Sequence, residues 1–263
     1  FINGSFKPNI NVPKNGTARI RLLNTANARI LNFKFNDEVE FEIISVDGSP
    51  CKPFKTSNLV IGPGQRMDIL VDDSSKLINL EEVSNSKKII AAKFKHSLES
   101  SINEKYSQGE EPFYRKPSIK NANVIDIHMQ GGAMGNLSHA VYNGEKRNLR
   151  DLALNESKLL ALNGNIGNYK NKIAELKKGD TVILRCFNDT RWPHTMHLHG
   201  HHFWVLSKEF SNLNLNLLRD TYLMQPGEKT DLVFIANNLG KWLFHCHMIE
   251  HHASGMIGYI SIS

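Results

Sequence analysis

Residues 179–188 read GDTVILRCFN, and residues 16–24 read GTARIRLLN, which is the same pattern with one residue fewer. A second pair of matching stretches follows in the same order. PGQRMDI at residues 63–69 corresponds to PGEKTDL at residues 226–232. Matches that recur in one order at similar spacing are the signature of an internal repeat, so we predict that the chain contains a duplicated domain.

The repeated stretches alternate apolar and polar residues with a period of two, which is typical of β-strands with one buried face. This alternation runs over residues 17–22, 181–187 and 229–235. Pro-Gly turns and polar loops separate the alternating stretches. A third matching pair, Asn3-Gly4 and Asn163-Gly164, lies upstream of the other two. We therefore predict an all-β chain made of two Greek-key β-sandwich or barrel domains.

A polar segment separates the two copies. Residues 97–107 are the one helix candidate, and Pro112 and Pro117 follow it. Prolines in a polar stretch are typical of a linker. We predict a first domain over residues 1–100, a linker over 101–120 and a second domain over 121–263.

Composition excludes several classes of protein. The 263 residues include 32 Lys and Arg against 26 Asp and Glu, and the resulting charge of +6 is spread along the chain, which does not favour a nucleic-acid partner. No apolar run reaches the ~18 residues that a membrane-spanning helix needs. Three cysteines cannot form a disulfide framework. Cys51 and Cys186 are expected to be buried thiols, although one pair remains possible.

Histidines concentrate near the carboxyl end of the chain, where nine of the twelve lie between His194 and His252. Two motifs contain most of them. The first is HTMHLH at residues 194–199, and the second is HCHMIEH at residues 245–251, with Met256 five residues later. Histidine and cysteine at such spacing are typical of a metal site.

Strand geometry divides these candidate ligands between two faces. Neighbouring side chains on a strand point to opposite sides, so Cys246 is expected to project one way and His245 and His247 the other. His197 and His199 share a face for the same reason. The first histidine of the first motif follows a proline, and we expect an irregular strand start to turn it away from the other two. One strand would then serve two metal sites.

The face of the thiolate matches a blue copper centre. Cys246 with His194 and His251 gives the trigonal set of two imidazoles and one thiolate, and Met256 is placed for a long axial contact. The opposite face offers only imidazoles, which suit a second copper centre of cluster type; these are His197, His199, His245 and His247. A zinc site or a purely structural cluster is the alternative.

The first copy lacks these ligands. Aligning Asn24 with Asn188 places three apolar residues opposite the histidines of the first motif. These residues are Ile30, Phe33 and Phe35. We therefore expect the first domain to be copper-free scaffold.

At these residues the chain resembles the multicopper oxidases, the family of laccases, bilirubin oxidases and bacterial cuprous oxidases. The motifs that carry the resemblance are HTMHLHG at residues 194–200 and HCHMIEHHASGM at residues 245–256. The resemblance implies a copper-free cupredoxin-like domain over residues 1–100 and a copper-binding one over residues 121–263. It is nearest to bacterial, exported three-domain oxidases, which implies a periplasmic or otherwise exported protein.

The resemblance also implies a role for each ligand. The type 1 copper, which takes electrons from the donor, would be bound by His194, Cys246, His251 and Met256. The type 2 copper would be bound by His197, and the type 3 pair by His199, His245 and His247. Electrons would pass through Cys246 to this cluster, which reduces dioxygen to water. The complete enzyme would hold about four copper ions, with no catalytic residue apart from the ligands and no other cofactor.

The chain departs from the family pattern in two ways. The family builds its cluster with two further HxH motifs. Outside the motifs already used, this sequence offers only His199-Gly-His201, which overlaps the first motif and is too close to serve. We expect a missing amino-terminal domain or another chain to supply the other histidines. Of these, we favour the interpretation that the chain is a fragment of a longer protein. The chain alone would then reduce dioxygen poorly. Second, His252 stands where some relatives have an acidic residue for proton delivery, with Glu250 as a possible substitute.

The electron donor is left open by the sequence. Seven methionines without a methionine-rich run favour a small organic donor such as a phenol over a ferrous or cuprous ion. The alternative function is electron transfer or copper storage with the type 1 copper alone. A relation to the nitrite reductases is disfavoured because those proteins arrange their ligands differently along the chain.

Overall fold

The computed structural model describes residues 1–14, 16–36, 39–84, 88–97, 111–206 and 217–263. The chain divides into two units, Phe1–Phe113 and Tyr114–Ser263. The helix candidate at residues 97–107 and much of the linker at 101–120 lie outside the described residues. The domain bounds given above therefore stay a prediction.

The first unit consists of two sheets. Its described strands are β1 (Asn9–Pro13), β2 (Ala18–Leu23), β3 (Leu31–Phe35), β4 (Phe41–Val46), β5 (Ser49–Thr56), β6 (Leu59–Ile61), β7 (Arg66–Val71), β8 (Asn79–Glu82) and β9 (Ile89–Ser97), and a 3-10 turn spans Ser74–Lys76. One sheet has the order β1-β9-β8-β3-β6 and the other β2-β7-β4-β5. The β1–β9 pair is parallel, and the other pairs of the two sheets are antiparallel.

Strand β7 shows why these residues form half-buried strands. Met67, Ile69 and Val71 are buried, while the residues between them are partly exposed. Burying one such side chain stabilises the fold by ~1.5–3 kcal/mol. A slip of one residue would turn all three toward solvent, so the alternation fixes the register of the strand.

The second unit is larger, and its described residues are also all-β apart from two short helices. Its described elements are β10 (Asn123–Gly131), β11 (His139–Tyr142), β12 (Glu145–Asn148), α1 (Leu149–Glu156), β13 (Leu160–Leu162), β14 (Lys172–Leu176), β15 (Thr181–Asn188), β16 (His194–Leu198), β17 (Phe203–Val205), β18 (Leu218–Arg219), β19 (Thr221–Met224), β20 (Lys229–Ile235), β21 (Gly240–Cys246), α2 (Ile249–Ala253) and β22 (Ile257–Ile262). The large sheets have the orders β13-β10-β15-β20-β17-β18 and β14-β22-β21-β16-β19, and β11 and β12 form a hairpin. Neither helix was predicted from the sequence.

The duplication is visible in the matching Asn-Gly pairs, which form the same tight turn in both units. Asn3 and Gly4 have φ angles of 50° and 76°, and Asn163 and Gly164 have 50° and 74°. Two successive residues with positive φ form the Asn-Gly type of hairpin turn, which glycine and asparagine adopt most readily. The third pair of sequence matches is therefore also a structural match.

A buried asparagine marks a second shared feature, which we name the asparagine corner. Asn188 ends β15, Asn24 directly follows β2, and both side chains are almost fully buried. The amide of Gly64 donates to the Asn24 carbonyl at 2.9 Å, and the amide of Gly227 donates to the Asn188 carbonyl at 2.8 Å. Both units therefore attach their Pro-Gly turn to the same asparagine.

The predicted alignment of the ligand strand is wrong by one residue. In the second unit His197 pairs with Thr221. When Pro63-Gly64 is aligned with Pro226-Gly227, the residue of the first copy that corresponds to Thr221 is Asn58. The register of β3 with β6, extended by one pair, puts Lys34 opposite Asn58. The counterparts of the three histidines are therefore Leu31, Lys34 and Asn36, rather than Ile30, Phe33 and Phe35. The first copy has one extra residue between its asparagine corner and its strand.

All three cysteines are buried thiols outside any disulfide, so Cys51 and Cys186 are not bonded to each other. Among the residues that the structure describes, no helix has the length and apolar character to cross a membrane.

Candidate metal centre

Two neighbouring strands, β16 and β21, carry most of the candidate ligands. Met196 pairs with Cys246, and His197 pairs with His245. Residues that pair across two strands point to the same face of the sheet, and so do residues two positions apart on one strand. Met196 therefore shares a face with Cys246, and His194 shares it with both. The irregular strand start expected at His194 is wrong, because this residue is a regular part of β16. An odd spacing of three residues is enough to put His194 and His197 on opposite faces.

The first face brings together one thiol and two imidazoles. The Nδ1 atoms of His194 and His251 each lie 3.7 Å from the Cys246 Sγ, and the three donor atoms all lie within 4.8 Å of one another. His194 and Cys246 are fully buried, and His251 is partly exposed. Two imidazoles and a thiolate around one point fit a copper ion of the blue type.

Helix α2 places His251 against Cys246. The chain leaves β21 at Cys246, forms one helical turn and returns at Met256, whose carbonyl accepts a hydrogen bond from the Cys246 amide at 3.0 Å. Gly255 makes the return possible, since its φ is 119° and a Cβ there would lie 2.5 Å from the Leu160 carbonyl oxygen. The side chain of Met256 is fully buried beside the cluster. Its role as an axial ligand stays a prediction.

Burial sets the protonation of this face. It raises the pKa of the Cys246 thiol to about 12, against the opposing effect of the Met248 and Thr195 backbone N–H groups. Burial also lowers the pKa of His194 to about 3, and it lowers the pKa of His251. Both imidazoles are therefore neutral at pH 7 and keep a lone pair for a metal. The thiol loses its proton when a metal cation replaces it.

The second face gathers four imidazoles. The Nε2 atoms of His199 and His245 lie 3.0 Å apart. The ring centre of His197 lies 4.8 Å from that of His199 and 5.7 Å from that of His247. His247 lies just beyond the end of β21 but still points to the second face. Its amide donates to the Thr195 carbonyl at 2.6 Å, which extends the pairing of β21 with β16 by one hydrogen bond. The four predicted ligands of this face are thus neighbours, and their metal binding stays a prediction.

Two residues that the sequence analysis did not identify orient His197. Its Nδ1 lies 2.8 Å from the Asp220 carbonyl oxygen and 3.0 Å from the Thr221 Oγ1. A hydrogen on Nδ1 donates to these oxygens and leaves Nε2 free to bind a metal. Burial lowers the pKa of His197 to about 4, although the bond to Asp220 opposes this effect. Only the fold brings residues 220–221 beside β16, so no sequence motif signals them.

Two further histidines lie next to candidate ligands of the second face. His252 Nδ1 lies 3.3 Å from His245 Nδ1, and its Nε2 lies 3.3 Å from the Tyr169 hydroxyl. His201 is buried between Phe234 and Trp242. Both residues therefore lie beside candidate ligands of the second face.

Comparison with known proteins adds family relationships. Sequence profiles described as multicopper oxidase match residues 126–263 and residues 2–76. The multicopper oxidase mco of Staphylococcus epidermidis is 28% identical over 268 residues, which covers 100% of this chain and 52% of that protein. The chain therefore spans about half the length of the curated relatives it matches.

Solved structures give the same fold. The laccase from Pediococcus acidilactici superposes with a TM-score of 0.77 at 22% identity, over 99% of this chain and 53% of that one. A multicopper oxidase from Campylobacter jejuni, described as a metallo-oxidase, gives a TM-score of 0.75 at 22% identity, over 99% and 56%. At this identity the likeness shows the fold alone. It confirms the expected all-β fold of cupredoxin-like β-sandwich domains.

Proposed function

This chain belongs to the multicopper oxidase family, and we propose that it provides the donor-side copper site and part of the dioxygen-side cluster of an oxidase. The main support is the pair Cys246 and His245, adjacent residues on β21 that contribute to clusters on opposite faces of one sheet. A protein with a single metal site has no use for the second cluster.

The protein's own residues would hold and insulate the metals. Copper, when bound, supplies one-electron chemistry that takes electrons from a donor on the thiolate face and reduces dioxygen to water on the imidazole face. Cys246 and His194, which are fully buried, would hold the copper ion away from solvent. His251, which is partly exposed, would bind it from the side that faces solvent. The peptide bonds from Cys246 to its two neighbours join the faces covalently.

The second cluster needs more imidazoles than this chain offers. Four histidines line that face, and the family pattern uses eight. We propose that the others come from a segment outside these 263 residues or from another chain. This proposal rests on the sequence, in which the one further HxH pair, His199-Gly-His201, overlaps the first motif.

The proposed donor is a small organic molecule such as a phenol, or a reduced metal ion. Support for the organic donor comes from the seven methionines, which form no methionine-rich run. Export to the periplasm or beyond is likewise a proposal, which cell fractionation tests.

The experiment is a copper count with oxygen uptake, made on the protein as encoded in full. We expect about four copper ions per enzyme, a blue absorption band, and oxygen uptake with 2,6-dimethoxyphenol as donor. One copper ion per chain and no oxygen uptake would instead support electron transfer or copper storage. Absence of the blue band would overturn the donor-side site itself.

A further inference from the structure

One buried hydroxyl contacts the far side of the His194 ring. The Thr190 Oγ1 lies 2.8 Å from His194 Nε2, while Nδ1 of the same ring faces the Cys246 Sγ at 3.7 Å. Thr190 is 3% exposed and His194 is fully buried. No water competes for either group at this exposure, so the contact determines which ring nitrogen carries the hydrogen.

The hydrogen of this hydroxyl has other acceptors. Thr190 Oγ1 lies 2.8 Å from Asn188 Oδ1 and 3.0 Å from the Trp192 carbonyl oxygen. The Asn188 amide is oriented by its NH₂ group, which donates to the carbonyls of Trp192 and Gln225 at 2.8 and 3.0 Å. Its oxygen must then face Thr190. With its hydrogen on one of these oxygens, the hydroxyl turns its lone pairs toward the Trp192 N–H at 3.2 Å and toward His194 Nε2, which fits an N–H on Nε2.

The first unit contains the same corner without the hydroxyl. There the Ala26 amide donates to Asn24 Oδ1 at 2.9 Å, just as the Thr190 amide donates to Asn188 Oδ1 at 3.1 Å. Since the corner forms with alanine at this position, the threonine hydroxyl is not needed to build it. The first unit also lacks the imidazole, because Leu31 is the counterpart of His194. Hydroxyl and imidazole are present together or absent together.

We propose that Thr190 is a positioning residue that holds His194 in its Nε2–H tautomer and directs the Nδ1 lone pair toward Cys246. A metal-binding imidazole commonly donates its other N–H to a fixed acceptor, and losing that acceptor costs about 10–100-fold in metal affinity. The consequence for copper rests on the function proposed above. The tautomer itself is a property of the copper-free protein.

The test compares Thr190→Val, which keeps the shape of the side chain and removes the acceptor, with Thr190→Ser, which restores the acceptor. Thr190→Ala is the variant most certain to fold, since the first unit uses alanine there. Thr230→Val is the matched control, because Thr230 is equally buried and donates to Glu228 Oε1 at 2.6 Å without touching a candidate ligand.

Two measurements decide the outcome. In the copper-free protein, nitrogen NMR of His194 should show the Nε2–H tautomer in wild type, Thr190→Ser and Thr230→Val, and a shift toward Nδ1–H in Thr190→Val and Thr190→Ala. In the copper-loaded protein, the same two variants should bind copper about 10–100-fold more weakly and show a changed reduction potential, and Thr190→Ser should restore both values.

An Nδ1–H tautomer in wild type, or one tautomer unchanged in all variants, would overturn the inference. The inference would also be overturned if Thr230→Val changed the copper affinity and the reduction potential as much as Thr190→Val does. Loss of any buried threonine hydroxyl would then have the same effect. Failure of every variant, wild type included, to bind copper would instead count against the proposed function, and the NMR result would still decide the part played by Thr190.

Discussion

The Nε2 atoms of His199 and His245 lie 3.0 Å apart, although 46 positions separate the two residues in the chain. At this distance at most one hydrogen fits between the two nitrogens. Protonating both rings would bring two positive charges together, and each ring opposes the charging of its neighbour. The pKa of His245 is accordingly lowered to about 3, mainly by burial and in part by the surrounding imidazoles.

The copper-free protein should lose stability as the pH falls below about 6.5. His194, His197 and His245 have pKa values lowered from 6.5 to about 3, 4 and 3. Below pH 6.5 the unfolded chain binds protons at these residues, whereas the folded protein does not. The free energy of unfolding that these histidines contribute is therefore fully present above pH 6.5 and is lost as the pH falls toward 3–4. We expect a loss on the order of 1 kcal/mol per pH unit for each imidazole that stays neutral, measured by urea unfolding at pH 7 and pH 5.

Variants of the buried histidines test the cause of this pH dependence. His194→Gln should reduce the slope. A free energy of unfolding that is constant from pH 7 to pH 5 would contradict the burial argument.

Replacing the central thiol should remove the blue band without unfolding the protein. Cys246→Ser keeps the size of the side chain but offers no thiolate, and the band of a blue centre depends on the copper–thiolate bond. Visible absorbance of the copper-loaded protein measures the effect, and far-UV circular dichroism verifies the fold. Cys186→Ser is the matched control, since Cys186 is equally buried and its Sγ lies 3.6 Å from the Leu184 carbonyl oxygen. A band that survives in Cys246→Ser would remove Cys246 from the site.

Removing an imidazole from the second face should separate the two copper functions. His197→Ala leaves the thiolate face intact, because the His197 side chain points away from Cys246. We expect the blue band to persist and oxygen uptake by the complete enzyme to stop. Unchanged turnover would show that the second face takes no part in catalysis.

Gly200 should be much less tolerant of alanine than Gly227. Both have a positive φ, 69° and 77°, so either substitution costs about 1–2 kcal/mol in backbone strain. At Gly200 the new Cβ would also meet the ring of Trp242, whose Nε1 is held by the Asn238 carbonyl at 2.8 Å, whereas nothing lies within 4 Å at Gly227. We expect a further loss of ~1–3 kcal/mol for Gly200→Ala, measured by urea unfolding. Equal losses at the two positions would show that Trp242 moves aside freely.

Much of the thiolate face was predictable from sequence because strand periodicity is rigid. The alternation around Cys246 predicts which neighbours share its face, and β21 extends as far as this residue. His251 was assigned from its motif, but the helical turn that carries it was not predicted. A five-residue helix is too short to give a periodic signal.

The residues that orient the ligands were not predictable. Thr190, Asp220 and Thr221 contact the imidazoles through folding of the chain, and none belongs to a motif. The one-residue error in aligning Leu31 with His194 has a similar cause. Sequence matches locate the ends of a loop, whereas only strand pairing locates an insertion within it.

The asparagine corner stands in the first unit with no metal ligand near it, and its hydrogen bonds are the same backbone and amide contacts in both units. The start of the ligand strand is therefore anchored by the polypeptide alone. We therefore expect copper binding to follow folding rather than to direct it, because the polypeptide alone already holds this corner in place.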